Sequence, residues 1–448
     1  MNKNKFQTSR TERAGFLSYF FGQNALFFMV TYLAAVYYTK VLGIPIALSA
    51  GIFFAARIWD ALNDPLLSVM VEKANLKGGK FLPWLKSIAF ILPIATVAVF
   101  GFTDALINAS LTVRLIYATV TYIFWGMAYT ISDIPGFAIA TVMTDDQNEK
   151  NTLLSLSRMI ALVGLLVASF LVQGIIDSSG SWSLSALILS GFSLVFLFGI
   201  FIAKERIKPV RSEVTLKGVV KSIISNKYTV YVFIATGILG ITNLGLAIFP
   251  FMGQDFWNDS SLTPIIFASF LVPIIISAPF TPMLVKKFGK KNIFMFSILS
   301  TIVISIVMYF VGYDNFTVFI ILAFVKSLFG GFWFIVQTLL YAETIEYNYY
   351  KNGERFEAAT FAAQTFSNKA AGAIAGTIAM LILAMLGYQE SIQGEIIIQS
   401  QRTIDGMWVL LNLGPIIGGI ISVTFFAKKY DLTEEKMDKL KKEFETEK

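Results

Sequence analysis

Apolar residues arrive along this chain in blocks of roughly twenty, set apart by short polar or charged segments, which is the spacing of helices that cross a bilayer. Twelve blocks fit the sequence: 15–39, 45–71, 83–103, 112–141, 153–176, 182–203, 228–253, 262–285, 293–312, 315–341, 359–387 and 405–427. An even number returns both ends to one side of the membrane. The longest polar connection, residues 204–227, lies near the middle, so the pattern predicts a six-helix bundle over 1–203, a central loop, a second bundle over 228–427 and a charged tail over 428–448. The tail from Asp431 reads as a short amphipathic helix or a solvated end.

A weak echo between the halves points to duplication. Pro65 leads through Lys73 to Gly78-Gly79-Lys80 after span 2, and Pro282 leads through Lys286-Lys287 to Gly289-Lys290 after span 8. The expected fold is therefore an all-α polytopic membrane protein with twelve transmembrane helices in two pseudo-symmetric bundles, the plan of secondary transporters of the major facilitator type.

Composition agrees with that picture. The 448 residues are 56% hydrophobic and 15% charged, with mean hydropathy +0.68, whereas a soluble domain is about a quarter charged. Of the 36 Lys and Arg, Lys40, Arg114 and Arg402 fall on the side opposite the termini and Arg57, Arg158, Lys326 and Lys369 fall inside spans. The other 29 lie on the side of the termini, which the positive-inside rule makes cytoplasmic. The +7 net charge then reads as a topological bias in a multi-pass plasma-membrane protein, not as a nucleic-acid surface. Met1 to Arg13 is polar and runs straight into a full-length span, unlike a cleavable leader. With no cysteine and no histidine, thiolate nucleophiles, disulfides, haem or Cys/His zinc sites and imidazole catalysis are excluded.

Each ionisable group at bilayer depth costs about 2.5–3.5 kcal/mol on insertion scales, so those present are functional candidates. Span 2 carries Arg57-Ile58-Trp59-Asp60-Ala61-Leu62-Asn63-Asp64-Pro65, and span 4 carries Tyr129-Thr130-Ile131-Ser132-Asp133-Ile134-Pro135. Asp60, Asn63 and Asp64 stand at i, i+3 and i+4 and share a helix face; Thr130 and Asp133 form a second pair. This all-oxygen set suits a hard monovalent cation, Na⁺, Li⁺ or H⁺, and has no soft ligand for a transition metal. Asp60 and Asp64 also read as ion-pair partners of Arg57, Arg158 and Lys369 that close the cytoplasmic side, and both readings can hold at different stages of a cycle. Three acids against three bases can stay buried while empty, and an entering cation would displace Lys369, coupling binding to a change of state. Lys326 has no acid on its own helix; lining a cavity, pairing across helices and snorkelling are all open to it. Trp59, Trp125, Tyr129, Phe137 and Trp333 offer flat rings for stacking on a sugar.

At these residues the sequence resembles the glycoside–pentoside–hexuronide:cation symporters over nearly its whole length. The likeness rests on the span 2 string, on Gly78-Gly-Lys-Phe-Leu-Pro83-Trp84, on Tyr129 to Pro135, and on the stretch from Ala342-Glu343-Thr344 through Gln364-Thr365 to Lys369. The resemblance implies a cation site at Asp60, Asn63, Asp64 and Thr130, and sugar-hydroxyl partners at Asp133 and Arg158. It further implies a sugar pocket lined by Trp125, Tyr129, Phe137, Gln364 and Thr365, with Trp333 nearby, and Lys369 beside both sites, with Arg57 in its charge network. Asn24 falls where the family has a sugar-binding acid, so an amide replaces a carboxylate.

The function expected is cation-coupled sugar symport by alternating access, with a sugar, a coupling cation and lipid as partners, no cofactor and no enzymatic step. Loss of the acid at Asn24 raises an anionic sugar, a uronide or a sulfonated sugar, as the alternative; a lysolipid or drug carrier of the same fold is a further rival. A channel would need a pore-lining polar stripe, whereas the charges here converge on one level.

Overall fold

The computed structural model describes residues 6–73, 76–207, 224–353, 357–392, 395–432 and 434–446. They form long helices: α1 Arg10–Val36, α2 Ile46–Lys73, α3 Leu82–Phe100, α4 Leu111–Ala138, α5 Gln147–Ser179, α6 Trp182–Leu197, α7 Lys227–Thr242, α8 Gly245–Trp257, α9 Thr263–Phe288, α10 Lys290–Val311, α11 Phe316–Asn352, α12 Glu357–Met385, α13 Gln401–Lys429 and α14 Glu434–Thr446. Among the described residues, eleven helical stretches are long and apolar enough to cross a membrane. α2, whose 28 residues carry Arg57, Asp60 and Asp64, includes side chains outside the described residues and is not counted among them. Large apolar side chains such as Ile94, Val195 and Phe310 point outward from the helices, as lipid-facing positions do.

Polar residues at the ends stop and start these helices. Ser9 begins α1 with a capping box, its Oγ accepting from Glu12 N (3.2 Å) while Glu12 Oε2 accepts from Ser9 N (2.8 Å), which satisfies two otherwise orphaned backbone donors. Ser110, Asp146 and Ser181 cap α4, α5 and α6 with their side chains alone, each accepting from the backbone N–H three residues on. α5 ends at Gly180 in a left-handed conformation (φ +64°), one that costs glycine no Cβ clash.

The block predicted as one span over 228–253 is broken. Helical bonding stops at Thr242 and resumes at Gly245, with Asn243 at ψ 66°. α13 approaches closely at this point: a Cβ at Gly414 would lie 2.3 Å from the Thr242 carbonyl oxygen, and one at Gly418 would lie 1.8 Å from Thr242 Oγ1. Beyond α1 the chain winds wider over Tyr37–Val41, with Leu42 N bonded back to Tyr37 O at 3.0 Å. Such widened turns recur at functional sites.

The chain divides into two compact units. One holds Met1–Arg211, Pro250–Phe267 and Gly387–Gln399; the other holds Ser212–Phe249, Ala268–Leu386 and Ser400–Lys448. In the first, α1 packs on α5 and α6, and α4 packs on α2 and α3. In the second, α10 packs on α11 and α13, and α7 on α12 and α13. The tail forms the amphipathic helix α14, which docks on the second unit: Met437 is buried, Leu440 packs beside it, and the Phe444 ring lies 5.0 Å from that of Tyr349. Hydrogen bonds from Lys436 and from Tyr228 hold the Asp431 carboxyl down at about 2.

Candidate functional site

α4 organises the site in the first unit through two adjoining faces. Tyr122, Gly126 and Thr130 follow at four-residue intervals, as do Trp125, Tyr129, Asp133 and Phe137; at any one level the two rows stand about 90° apart around the helix.

The first row meets α2. Tyr122 packs edge-on against Phe53 with centroids 5.0 Å apart, and a Cβ at Gly126 would lie 3.2 Å from Asp60 Oδ1. Asp60 thus rests where α4 has no side chain, one turn from Thr130, which is buried at 5% exposure. Asn63 is equally buried, and its Nδ2 has no hydrogen-bond partner. A buried donor left unmade costs about 1–3 kcal/mol. Arg57 Nη1 lies 3.4 Å from Asp60 Oδ2, with the two side chains 34% and 23% exposed; the ion-pair reading of the sequence is therefore present beside the cation reading. The side chain of Asp64 lies outside the described residues.

The second row meets α1. Trp125 and Tyr129 stack with centroids 5.1 Å apart at 17°, and Phe27 packs on Tyr129 at 4.8 Å. Farther along, Phe137 packs on Phe20 at 4.9 Å. The helices are antiparallel, so these two contacts set the register and put Asn24 level with Asp133. Asn24 Nδ2 donates to Phe20 O at 2.9 Å, which ties its amide nitrogen to its own helix and leaves Oδ1 as the atom offered outward. Trp125 is 3% exposed and gives its indole N–H to Thr96 Oγ1 at 3.0 Å, so its ring supports Tyr129 from behind. Tyr19 OH and Ser132 Oγ share a 2.5 Å hydrogen bond at the back of the helix. Arg158 is exposed on α5, and Trp59 is exposed on α2.

Trp333, Gln364, Thr365 and Lys369 belong to the second unit. Gln364 Nε2 donates to Thr338 Oγ1 at 2.8 Å, linking α12 to α11. Thr365 and Lys369 are exposed on α12, and Trp333 packs partly buried against the apolar core of its unit.

Two features escape a reading of the sequence. Gly126 has no chemistry of its own, although its place four residues before Thr130 is the signal that it shares that face. Lys326 has a structural partner: its Nζ donates to Leu411 O at 3.1 Å on α13. That carbonyl is free because its i+4 residue is Pro415, which has no N–H. Lys326 and Pro415 should couple in a double-mutant cycle. Lys326→Met is expected to cost about 1–2 kcal/mol more beside Pro415 than beside Pro415→Ala, read by thermal unfolding in detergent; additive effects would show that the two do not meet.

The sequence profile of a family described as MFS/sugar transport protein matches residues 16–434. The chain is 27% identical to the uncharacterized symporter YjmB of Bacillus subtilis (strain 168), covering 93% of this chain and 91% of the relative. It is 26% identical to the isoprimeverose transporter of Lactiplantibacillus pentosus, covering 93% and 88%. Among solved structures, the nucleoside transporter NupG superposes with TM-score 0.68 at 14% identity, covering 95% of this chain and all of that one (100%). Together with the family match, that likeness shows the all-α major facilitator fold.

Proposed function

Because the chain belongs to the MFS/sugar transport protein family, a family of multi-pass membrane transporters and not of enzymes, we propose that it carries a small sugar, a glycoside or pentoside, in symport with Na⁺ or H⁺. The observation that carries this reading is the pair of faces on α4. Asp60 rests against Gly126 one turn from Thr130, while the Trp125–Tyr129 stack, Asp133 and the facing Asn24 occupy the neighbouring side. The cation takes Asp60, Asn63, Asp64 and Thr130 oxygens. The sugar lays a C–H face on Tyr129 and gives its hydroxyls to Asp133, Arg158 and Asn24. α4 belongs to both sites, so filling one stiffens the helix that the other needs. Each ligand then lowers the ordering cost of the next, and alternating access follows when the loaded carrier turns. Both termini are cytoplasmic on the Lys/Arg asymmetry, and the names of the two relatives, an uncharacterized symporter and an isoprimeverose transporter, point the same way.

Asn24 favours a second reading. With an amide where the resemblance implies an acid, Arg158 meets one negative charge fewer, which suits a uronide or a sulfonated sugar.

A counterflow screen of glycosides, pentosides and uronides, each with and without Na⁺ at two pH values, decides among these. By linkage, the sugar that scores must raise cation affinity by the same factor as the cation raises its own. Cation affinity that is identical with and without saturating sugar removes coupled transport.

A further inference from the structure

Lys40, which the sequence marks only as one of three bases opposite the termini, sits in the widened turn Tyr37–Val41 and is 14% exposed. Its Nζ donates to Asp255 Oδ1, and the Asp255 side chain is fully buried at 0% exposure. Tyr388 OH donates to the other carboxylate oxygen at 2.9 Å, and the ammonium lies 5.9 Å from the ring centres of both Phe251 and Tyr388. All of these residues belong to the first unit.

The residues after Tyr388 continue the same attachment. Ser391 N donates to Thr39 O at 3.2 Å, Ser391 Oγ donates to Lys40 O at 2.7 Å, and Ile392 pairs antiparallel with Leu42. The Glu390 carboxylate accepts from Ile46 N at 2.7 Å, at the first turn of α2, where unpaired N–H groups favour an anion. Residues 388–392 therefore strap the α1–α2 turn, and one buried ion pair anchors the strap. Beside the anchor lies a cavity of about 710 Å³ with a mixed lining, polar at Lys40, Gln254 and Gln389 and apolar at Val36, Ile176 and Pro250. Water in that cavity can receive the ammonium when the pair parts.

We propose that Lys40, Asp255 and Tyr388 form the gate on the side opposite the termini, and that residues 388–392 are the strap it releases during transport. A carboxylate fully out of water with one cationic partner is bistable: it is held firmly while paired and is costly once unpaired. A few kilocalories separate the states of a switching protein, so one such pair suffices to bias them. The inference rests on the chain being a carrier and not on which sugar or cation it takes, so the test below uses neither.

The chain has no cysteine, so any introduced one is unique. Ser391→Cys replaces a residue 4% exposed and is expected to react slowly with a membrane-impermeant maleimide applied opposite the termini. Adding Lys40→Met or Asp255→Asn should speed that reaction at least about tenfold, since losing one partner of a buried pair outweighs the energy that a factor of ten represents. Lys40→Arg, which keeps the charge, should leave it slow. Lys40→Met should also slow permeant-maleimide labelling of Thr365→Cys, a residue exposed on α12, because a carrier that opens one side closes the other; mere loosening of the strap would not do that. Ser190→Cys, 4% exposed on α6, reports unfolding. Unchanged Ser391→Cys labelling in both variants, unchanged Thr365→Cys labelling, or equal acceleration at Ser190→Cys would each overturn the gate.

Discussion

Asp60→Asn is expected to abolish cation-driven accumulation while leaving sugar exchange measurable. Removing one partner of a buried charge arrangement typically costs about 3–5 kcal/mol, which is roughly a 10²- to 4 × 10³-fold loss of cation affinity. Asp60 is 23% exposed on its side chain, so solvent screens part of the effect and the lower end of that range applies. The sugar face of α4 is untouched, so counterflow, which needs no gradient, should persist with altered cation dependence. Arg57 separates the two readings of this residue. If Asp60 served only to hold Arg57, then Arg57→Gln would reproduce the loss; if it binds the cation, Arg57→Gln removes a competitor and leaves uphill uptake in place. Uphill uptake by Asp60→Asn at the wild-type level would remove Asp60 from the cation site.

The second large effect belongs to Gly126, which touches neither ligand. A Cβ there would stand 3.2 Å from Asp60 Oδ1, close enough that the carboxylate must yield by a few tenths of an ångström. Asp60 is partly exposed and can yield, so Gly126→Ala should weaken cation coupling only a few-fold, about 1 kcal/mol or less. Gly126→Leu fills the space, pushes the carboxylate off the α4 surface and should match Asp60→Asn. Replacing a mid-helix glycine favours the helix itself by up to about 1 kcal/mol, so neither variant should lose much thermal stability. Falling cation affinity in parallel with a preserved melting temperature is the expected signature, read from Na⁺ titrations of sugar binding beside thermal unfolding. A Gly126→Leu variant with unchanged cation affinity would place the cation elsewhere.

The helices were legible in the sequence because lipid imposes a length and an apolarity on every helix it surrounds, and each block declares both by itself. The break at Asn243 was not legible, because the close approach responsible for it comes from Gly414 and Gly418 on another helix. Lys40 and Lys326 illustrate the same limit. One reads as a marker of topology and the other as a lone intramembrane charge, yet their partners, Asp255 and the Leu411 carbonyl, are 215 and 85 residues away in the chain. The carbonyl is not even a side chain. Asp60, Asn63 and Thr130 could be grouped because four-residue spacing is a property of a single helix; that Asp60 rests on Gly126 required two.

The two rows on α4 also bear on how such a carrier can change its cargo. The sugar-side row, 129 and 133 with Trp125 backing Tyr129 and Phe137 beyond, and the row that turns toward α2, 122, 126 and 130, interleave in the chain yet at any one level stand about 90° apart. A substitution in one row leaves the other in place, so a lineage, or an experimenter, can exchange the transported sugar and keep the ion that drives it. A rotation of the whole helix moves both rows at once and offers no such freedom. Substrate range should therefore drift by side-chain replacement along 125–137, with the backbone of α4 and the notch at Gly126 held fixed.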